Sequence, residues 1–147
     1  MERTEMLDKL NELIQLDVDA VEAYDHAVKH VDKDIKKRFS AFQDDHRAHI
    51  RNLSELVQQL GGKPVHPSPD LKGYLMEGLT ALMSLTGTGS ALEAMKTNER
   101  KIYWKYDQAV QLDFPEDVMK LLRINHAQEA RHLTYIEEIL TIPRREL

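Results

Sequence analysis

Hydrophobic residues recur along most of this chain at intervals that alternate between three and four, the spacing that buries one face of an α-helix. In the first segment they are Leu7, Leu10, Ile14, Val21, Val28 and Val31. This pattern predicts long helices over about 4–31, 33–60, 90–112 and 114–141. No segment has the strict apolar–polar alternation of a half-buried strand. The chain is therefore predicted to be all-α, an antiparallel four-helix bundle with helices packed lengthwise.

A different pattern separates the second and third long helices. Gly61-Gly62 is a typical helix C-terminal signal, and the connector "GGKPVHPSPD" is rich in Pro and Gly. Residues 70–86 then show the spacing of a shorter helix, which we expect to cross the bundle as an extra element. A chain of 147 residues is most simply one domain, spanning 1–147.

Composition narrows the class of protein. Twenty Lys+Arg and 25 Asp+Glu give a net charge of -5, and because no basic run occurs, neither nucleic acid nor membrane is expected as a partner. The absence of cysteine excludes disulfides and thiolate metal sites. The charged N-terminal stretch lacks the apolar core of a signal peptide, so a cytoplasmic location is expected.

Polar residues interrupt the apolar seams near the middle of each long helix. They are Asp17, His46, His49, Glu99, Asn125, Glu129 and His132. A buried charge costs several kcal/mol unless it is paired or ligated. We expect the helices to alternate in direction, which would bring these positions into one layer. Six of the seven are carboxylates or imidazoles, the types that bind Fe, Mn or Zn, and they form a predicted metal site.

The spacing of these residues supports one shared cavity. His46 and His49 are three residues apart, as are Glu129 and His132, so both members of each pair can reach the same space from one helix. The remaining two helices supply a single acid each. In chain order the pattern is one acid, a two-residue motif, one acid and a two-residue motif.

The two halves of the chain also resemble each other. "AYDHAV" at 23–28 matches "KYDQAV" at 105–110, with an offset of 82 residues. The two histidine-containing motifs are separated by 83 residues. Two helical hairpins related by a pseudo-two-fold axis would place the polar sets face to face.

This arrangement resembles the ferritin-like superfamily, which includes ferritins, bacterioferritins and rubrerythrins, over about residues 4–142. In those bundles one Glu from each of two helices and a Glu-x-x-His motif from each of the other two hold a dinuclear site. The connector and short middle helix are most similar to uncharacterised bacterial ferritin-like families. The resemblance implies bound iron, with manganese or zinc as alternatives, and ferroxidase or peroxidase chemistry with O₂ or peroxide. A homodimer is the expected assembly.

The resemblance assigns roles position by position. Asp17 and Glu99 take the single-acid positions. Glu129 and His132 match one Glu-x-x-His motif, and His49 matches the histidine of the other.

Two positions depart from the family pattern. Asp17 replaces the usual Glu, so its oxygens reach about one methylene less far. His46 stands where the second motif has a Glu that typically bridges the metals, which leaves Glu129 as the bridging carboxylate. Asp45, on the flank of the same face, is an alternative to His46. A mixed site, a single metal position and an empty degenerate site all remain open.

Other residues allow two interpretations. Tyr24 and Tyr106 lie two turns from the single acids and would either orient those carboxylates or fill the core. Asn125 would either support the site or fix helix register. For the whole chain, the alternatives are a non-enzymatic stress or scaffold bundle with a metal-free polar layer, and a structural zinc site.

Overall fold

Four helices make up the fold of the described residues, which are 1–65 and 86–143 of this computed structural model. They are α1 (Arg3–Ala27), α2 (Lys33–Gln59), α3 (Thr88–Ala109) and α4 (Glu116–Leu140). These ranges contain no strand, and the predicted all-α bundle is confirmed. The first helix ends four residues before its predicted end at 31. The helix predicted over 70–86 lies outside the described residues except for Thr86, which is not helical.

Local signals explain where α2 ends and where α4 begins. After α2, Gly61 has a φ of 82°, a conformation that glycine adopts at low cost. The Gly61 N–H donates to the carbonyl of Gln58 and the Gly62 N–H to that of Val57, both at 2.9 Å. This hydrogen-bond pair is a Schellman motif, which closes the helix. Pro115 immediately precedes α4 and has no N–H to leave unsatisfied there.

Each helix packs against two others. α1 lies beside α2 and α3, and α4 lies beside the same two helices. Tyr24 of α1 reaches Glu99 of α3, whereas Tyr106 reaches back to Asp17, so α1 and α3 are antiparallel. Arg3 contacts Leu60 and Asp17 contacts His46, so α1 is also antiparallel to α2. Helices α2 and α3 therefore run in the same direction. The expectation that direction alternates strictly in chain order was wrong at this step, although all neighbouring helices are antiparallel.

In the described part of the chain, the core consists of two apolar clusters with a polar layer between them. One cluster contains Leu10, Leu13, Ile14, Leu53, Ile102 and Leu122. The other contains Ala23, Phe39, Phe42, Leu92, Met95 and Ile136. Within the described ranges no helix is both long and apolar enough to cross a membrane. The apolar clusters hold the four helices rigidly on both sides of the polar layer, which therefore has a fixed geometry.

Candidate metal centre

The six residues predicted as metal ligands meet in the polar layer at the middle of the bundle. Each of them is at most 1% exposed. Every helix contributes, and the donor residues are Asp17 on α1, His46 and His49 on α2, Glu99 on α3, and Glu129 and His132 on α4. Their proximity is a property of the fold. Their role as metal ligands remains a prediction.

One group of donors forms around the carboxylate of α1. Asp17 Oδ1 lies 2.6 Å from His46 Nδ1 and 3.0 Å from His49 Nδ1. Asp17, His46, His49 and Glu129 each offer a ligand atom, and these atoms lie within 4.8 Å of one another. A cluster of two imidazoles and two carboxylates is a suitable ligand set for Fe, Mn or Zn.

A second group forms around the carboxylate of α3. Glu99 Oε2 lies 2.7 Å from His132 Nδ1, and Glu99 Oε1 lies 3.2 Å from His46 Nε2. His46, Glu99, Glu129 and His132 offer four ligand atoms that also lie within 4.8 Å of one another. The two groups share His46 and Glu129, as expected for two adjacent metal positions.

Glu129 provides a direct test of whether these residues fit a metal. Among the described residues, neither of its buried carboxylate oxygens has a hydrogen-bond partner. The Nδ1 atom of His46 is 3.4 Å from Oε1, and that of His132 is 3.6 Å from Oε2. Buried polar atoms are almost always satisfied, because an unsatisfied one costs about 1–3 kcal/mol. The donor set and the unsatisfied Glu129 oxygens both fit a metal site.

Two tyrosines hold the single acids in place. The Tyr24 hydroxyl donates to Glu99 Oε2 at 2.9 Å, and the Tyr106 hydroxyl donates to Asp17 Oδ2 at 2.6 Å. Asn125 Nδ2 donates to the Tyr106 hydroxyl at 3.4 Å. Both tyrosines are completely buried and belong to the core as well. The two interpretations of these rings, carboxylate orientation and core filling, are therefore compatible.

Two further residues contact the outer nitrogens of the histidines. His49 Nε2 donates to Gln128 Oε1 at 2.6 Å, and His132 Nε2 lies 2.8 Å from Asp45 Oδ2. Such partners fix the ring so that Nδ1 faces the cluster. Asp45 therefore contacts His132 and belongs to neither donor group. Gln128 was not predicted, although Asp45 and Gln128 each directly precede one of the two histidine motifs in the sequence.

The charges of the layer depend strongly on one another. Burial disfavours the ionised forms of Asp17 and Glu99, but neighbouring imidazoles outweigh burial and lower the pKa of both groups. Burial and the charge of Glu99 instead raise the pKa of Glu129 to about 7. In the metal-free layer, the carboxyl group of Glu129 therefore keeps its proton up to near neutral pH.

The pKa values of the three histidines are raised, whereas burial alone would lower the pKa of an imidazole. Burial lowers the pKa of His132, but Glu99 and Asp45 outweigh burial and raise the pKa to about 11. The pKa values of His46 and His49 are also raised, because the surrounding carboxylates outweigh burial. In the absence of metal, protonated imidazoles therefore balance the carboxylates.

A groove between α2 and α4 is lined by one donor residue of the layer, His132. Its volume is about 500 Å³, and its lining includes Arg38, Phe42, Asp45, His132 and Tyr135. The Phe42 ring stacks on the His132 ring with centroids 4.3 Å apart. Asp45 is 38% exposed, whereas His132 is 1% exposed. A small molecule in this groove would therefore contact Asp45 more readily than His132.

Comparison with solved structures identifies the fold. A conserved hypothetical protein from Mycobacterium tuberculosis matches with a TM-score of 0.80 at 10% identity, covering 97% of this chain and 96% of that one. A structure described as ferritin-like, diiron-carboxylate proteins from Bacillus anthracis str. Ames matches with a TM-score of 0.76 at 20% identity, covering 95% and 99%. The chain therefore has a ferritin-like fold.

Sequence comparison supplies the family. No curated protein matches the chain. Residues 5–112, which are more than half of the chain, match a family described as a domain of unknown function, DUF2383. These residues include α2, α3 and all but the first two residues of α1, and thus four of the six donor residues. The chain belongs to the DUF2383 family and carries, on a ferritin-like bundle, a buried carboxylate and histidine cluster compatible with a metal site.

Proposed function

We propose that the protein binds two metal ions in the polar layer, iron in the first instance, and uses them to oxidise Fe(II) or to remove peroxide or O₂. The observation that supports this proposal most strongly is the state of Glu129. Its two oxygens lack hydrogen-bond partners among the described residues and belong to both donor groups. A buried carboxylate placed in this way is costly for the fold unless a cation binds it.

The residues of the site have distinct tasks in this proposal. Glu129 would supply a carboxylate to both metal positions, while His49 and His132 would each supply the Nδ1 atom that faces the layer. Tyr24 and Tyr106 fix the orientation of the single acids through short hydrogen bonds. The apolar clusters on both sides of the layer exclude bulk water.

Bound iron would supply the one-electron chemistry that reduces O₂ or peroxide while Fe(II) is oxidised. The groove, whose lining includes Asp45 and His132, offers a path for a small oxidant toward the layer. The carboxylates Asp17, Glu99 and Glu129 would balance the added positive charge of the oxidised metal.

Aerobic addition of Fe(II) to the metal-free protein tests this function. We expect the absorbance of the ferric product to appear faster than in buffer alone, and Glu129→Gln to abolish the acceleration. Glu116→Gln is the matched control, because this exposed carboxylate lies at the start of the same helix. A protein that binds no iron and does not accelerate oxidation would refute the proposal.

A second candidate function is a scaffold or stress-response bundle with a metal-free polar layer. The mutual pairing of Asp17 with His46 and His49 supports it, because these groups satisfy one another without a cation. This alternative predicts that Glu129→Leu or His49→Leu raises the melting temperature without loss of function, since a buried polar layer is itself costly. The metal proposal predicts that iron or manganese raises the melting temperature of the wild type alone.

We also propose that the protein forms a homodimer. Trp104 on α3 and Ile124 on α4 are 55% and 49% exposed, and burial of these large apolar side chains would favour association. Light scattering coupled to size exclusion measures the mass directly. A mass of one chain at micromolar concentration would contradict this proposal.

A further inference from the structure

The histidine that departs from the family pattern has a different environment from the other two. His49 and His132 each place one ring nitrogen in the layer and bond the other to an outer residue, Gln128 or Asp45. His46 has no such outer partner in the described structure, because both of its nitrogens contact carboxylates of the layer. One ring therefore offers two donor atoms to the cluster.

The two nitrogens of His46 face different donor groups. Nδ1 lies 2.6 Å from Asp17 Oδ1 and 3.4 Å from Glu129 Oε1, both of the first group. Nε2 lies 3.2 Å from Glu99 Oε1, in the second group. Glu129 divides its oxygens in the same way, since Oε1 is nearest His46 and His49 and Oε2 is nearest His132. His46 and Glu129, which both donor groups share, thus direct one ligand atom to the first group and one to the second.

We infer that His46 is a bridging ligand, with Nδ1 directed to one metal position and Nε2 to the other, beside the carboxylate bridge of Glu129. This inference rests on the proposed metal-binding function. It assigns His46 the place of the carboxylate that bridges in the Glu-x-x-His pattern. An imidazole ring that binds two cations keeps no N–H proton, so both nitrogens of His46 would release their protons to solvent and the ring would become an anion.

Formal charge supports the same assignment. In the family pattern, two single Glu residues and two Glu-x-x-His motifs supply four carboxylates, which neutralise two divalent ions. Among the described residues, the two donor groups contain three carboxylates, Asp17, Glu99 and Glu129. A bridging imidazolate at His46 supplies the fourth negative charge, and an uncompensated charge in a buried layer is expensive. The charge of Asp45 is partly screened by solvent, because this side chain is 38% exposed.

Nuclear magnetic resonance of ¹⁵N-histidine-labelled protein tests the bridge without any measurement of activity. Zn²⁺ is the probe, because it is diamagnetic and accepts these ligands. In protein loaded with two Zn²⁺ per chain, we expect both His46 nitrogens to have metal-bound shifts and the ring to lack an N–H. His49 and His132 serve as internal controls, since each should keep its Nε2–H on Gln128 or Asp45.

Each outcome decides a different claim. A His46 ring that keeps an N–H in the zinc-loaded protein, or a stoichiometry of one Zn²⁺ per chain, would overturn the bridge while leaving metal binding intact. A protein that binds no Zn²⁺, Mn²⁺ or Fe²⁺ would overturn both the bridge and the proposed function.

Two variants provide an independent check by metal stoichiometry. His46→Glu restores a two-oxygen bridge and should keep two Mn²⁺ per chain. His46→Gln offers no second strong donor atom, so we expect its second Mn²⁺ to bind at least tenfold more weakly than in the wild type. Far-ultraviolet circular dichroism verifies that each variant is folded. Two equally tight ions in a folded His46→Gln variant would contradict the bridging role.

Discussion

The two helical hairpins of this bundle place side chains at equivalent positions around the site, but the residue types at those positions differ. The hairpin of α1 and α2 provides Asp17, His46 and His49, whereas that of α3 and α4 provides Glu99, Glu129 and His132. Each hairpin also supports the other, because its tyrosine bonds the opposite acid. The backbone repeats but the ligands do not. Two metal positions built on this frame should therefore have unequal affinities.

The inequality extends to the outer partners of the histidines. Asp45, a carboxylate, supports His132, whereas Gln128, a neutral amide, supports His49. A carboxylate partner makes an imidazole a more basic ligand. The groove also reaches the His132 side of the layer. If two metal ions bind, we therefore expect the position near His132 to be the tighter and more accessible of the two.

Removal of the shared carboxylate should have the largest effect, because both donor groups lose a ligand at once. For Glu129→Gln we expect neither Fe²⁺ nor Mn²⁺ to bind at stoichiometric concentrations, as measured by equilibrium dialysis. Glu116→Gln, on the surface of the same helix, should bind as the wild type does. Retention of two ions by Glu129→Gln would show that the layer does not use this residue as a ligand.

Exchange of the outer partners should alter affinity by a smaller factor. Asp45→Asn makes the two halves alike, and we expect the tighter metal position to weaken about 10- to 100-fold. Gln128→Glu should strengthen the position at His49, because it adds a carboxylate behind that ring. Chelator competition with Zn²⁺ measures both changes. If both variants stay within twofold of the wild type, the outer partners do not tune the site.

Substitution of the two tyrosines compares the two hairpins by the loss of unfolding free energy that each variant causes. Tyr106→Phe and Tyr24→Phe each remove a buried hydrogen bond to a carboxylate, worth about 1.5–3 kcal/mol of unfolding free energy. The loss should be greater for Tyr106→Phe, because this variant also leaves Asn125 without its bond to the hydroxyl. Urea unfolding of the metal-free proteins measures the difference. A larger loss of unfolding free energy for Tyr24→Phe than for Tyr106→Phe would contradict this expectation.

The pH dependence of stability is expected to reflect the titration of Glu129 and His132 in the metal-free protein. Between the ordinary value of 4.5 and about 7, Glu129 holds a proton in the folded chain that the unfolded chain has released. His132 does the same between 6.5 and about 11. Because the folded state binds more protons in both windows, stability of the metal-free protein should fall as pH rises.

Calorimetry of metal-free protein at several pH values between 5 and 9 measures this slope. In Glu129→Gln the part of the slope below about pH 7 should disappear, because the residue no longer titrates. A melting temperature of the metal-free wild type that rises steadily over this range would contradict the assigned protonation states.

Periodicity predicted the helices and the polar layer well, because seam positions in a bundle must be buried. Asp17 and Glu129 interrupt apolar seams, and a buried carboxylate requires a partner wherever the helices pack. The end of α1 at Ala27 was not predictable in the same way, since local turn geometry ends the helix before the apolar pattern ends.

Features that depend on tertiary register could not be derived from the pattern. Gln128 lies one residue off the seam, and only the antiparallel contact of α2 and α4 brings it to His49. Asp45 is equally off the seam and pairs with His132 for the same reason. The common direction of α2 and α3 depends on the connection between them, which periodicity does not specify. These contacts therefore required the structure.

Elemental analysis of protein purified without chelator tests the central claim most directly. The presence of two donor groups predicts about two transition-metal ions per folded wild-type chain and none in Glu129→Gln. Iron should predominate when iron is supplied during growth. A folded wild type with no more metal than Glu129→Gln would contradict the account, and the polar layer would then be an internally paired network without a cation.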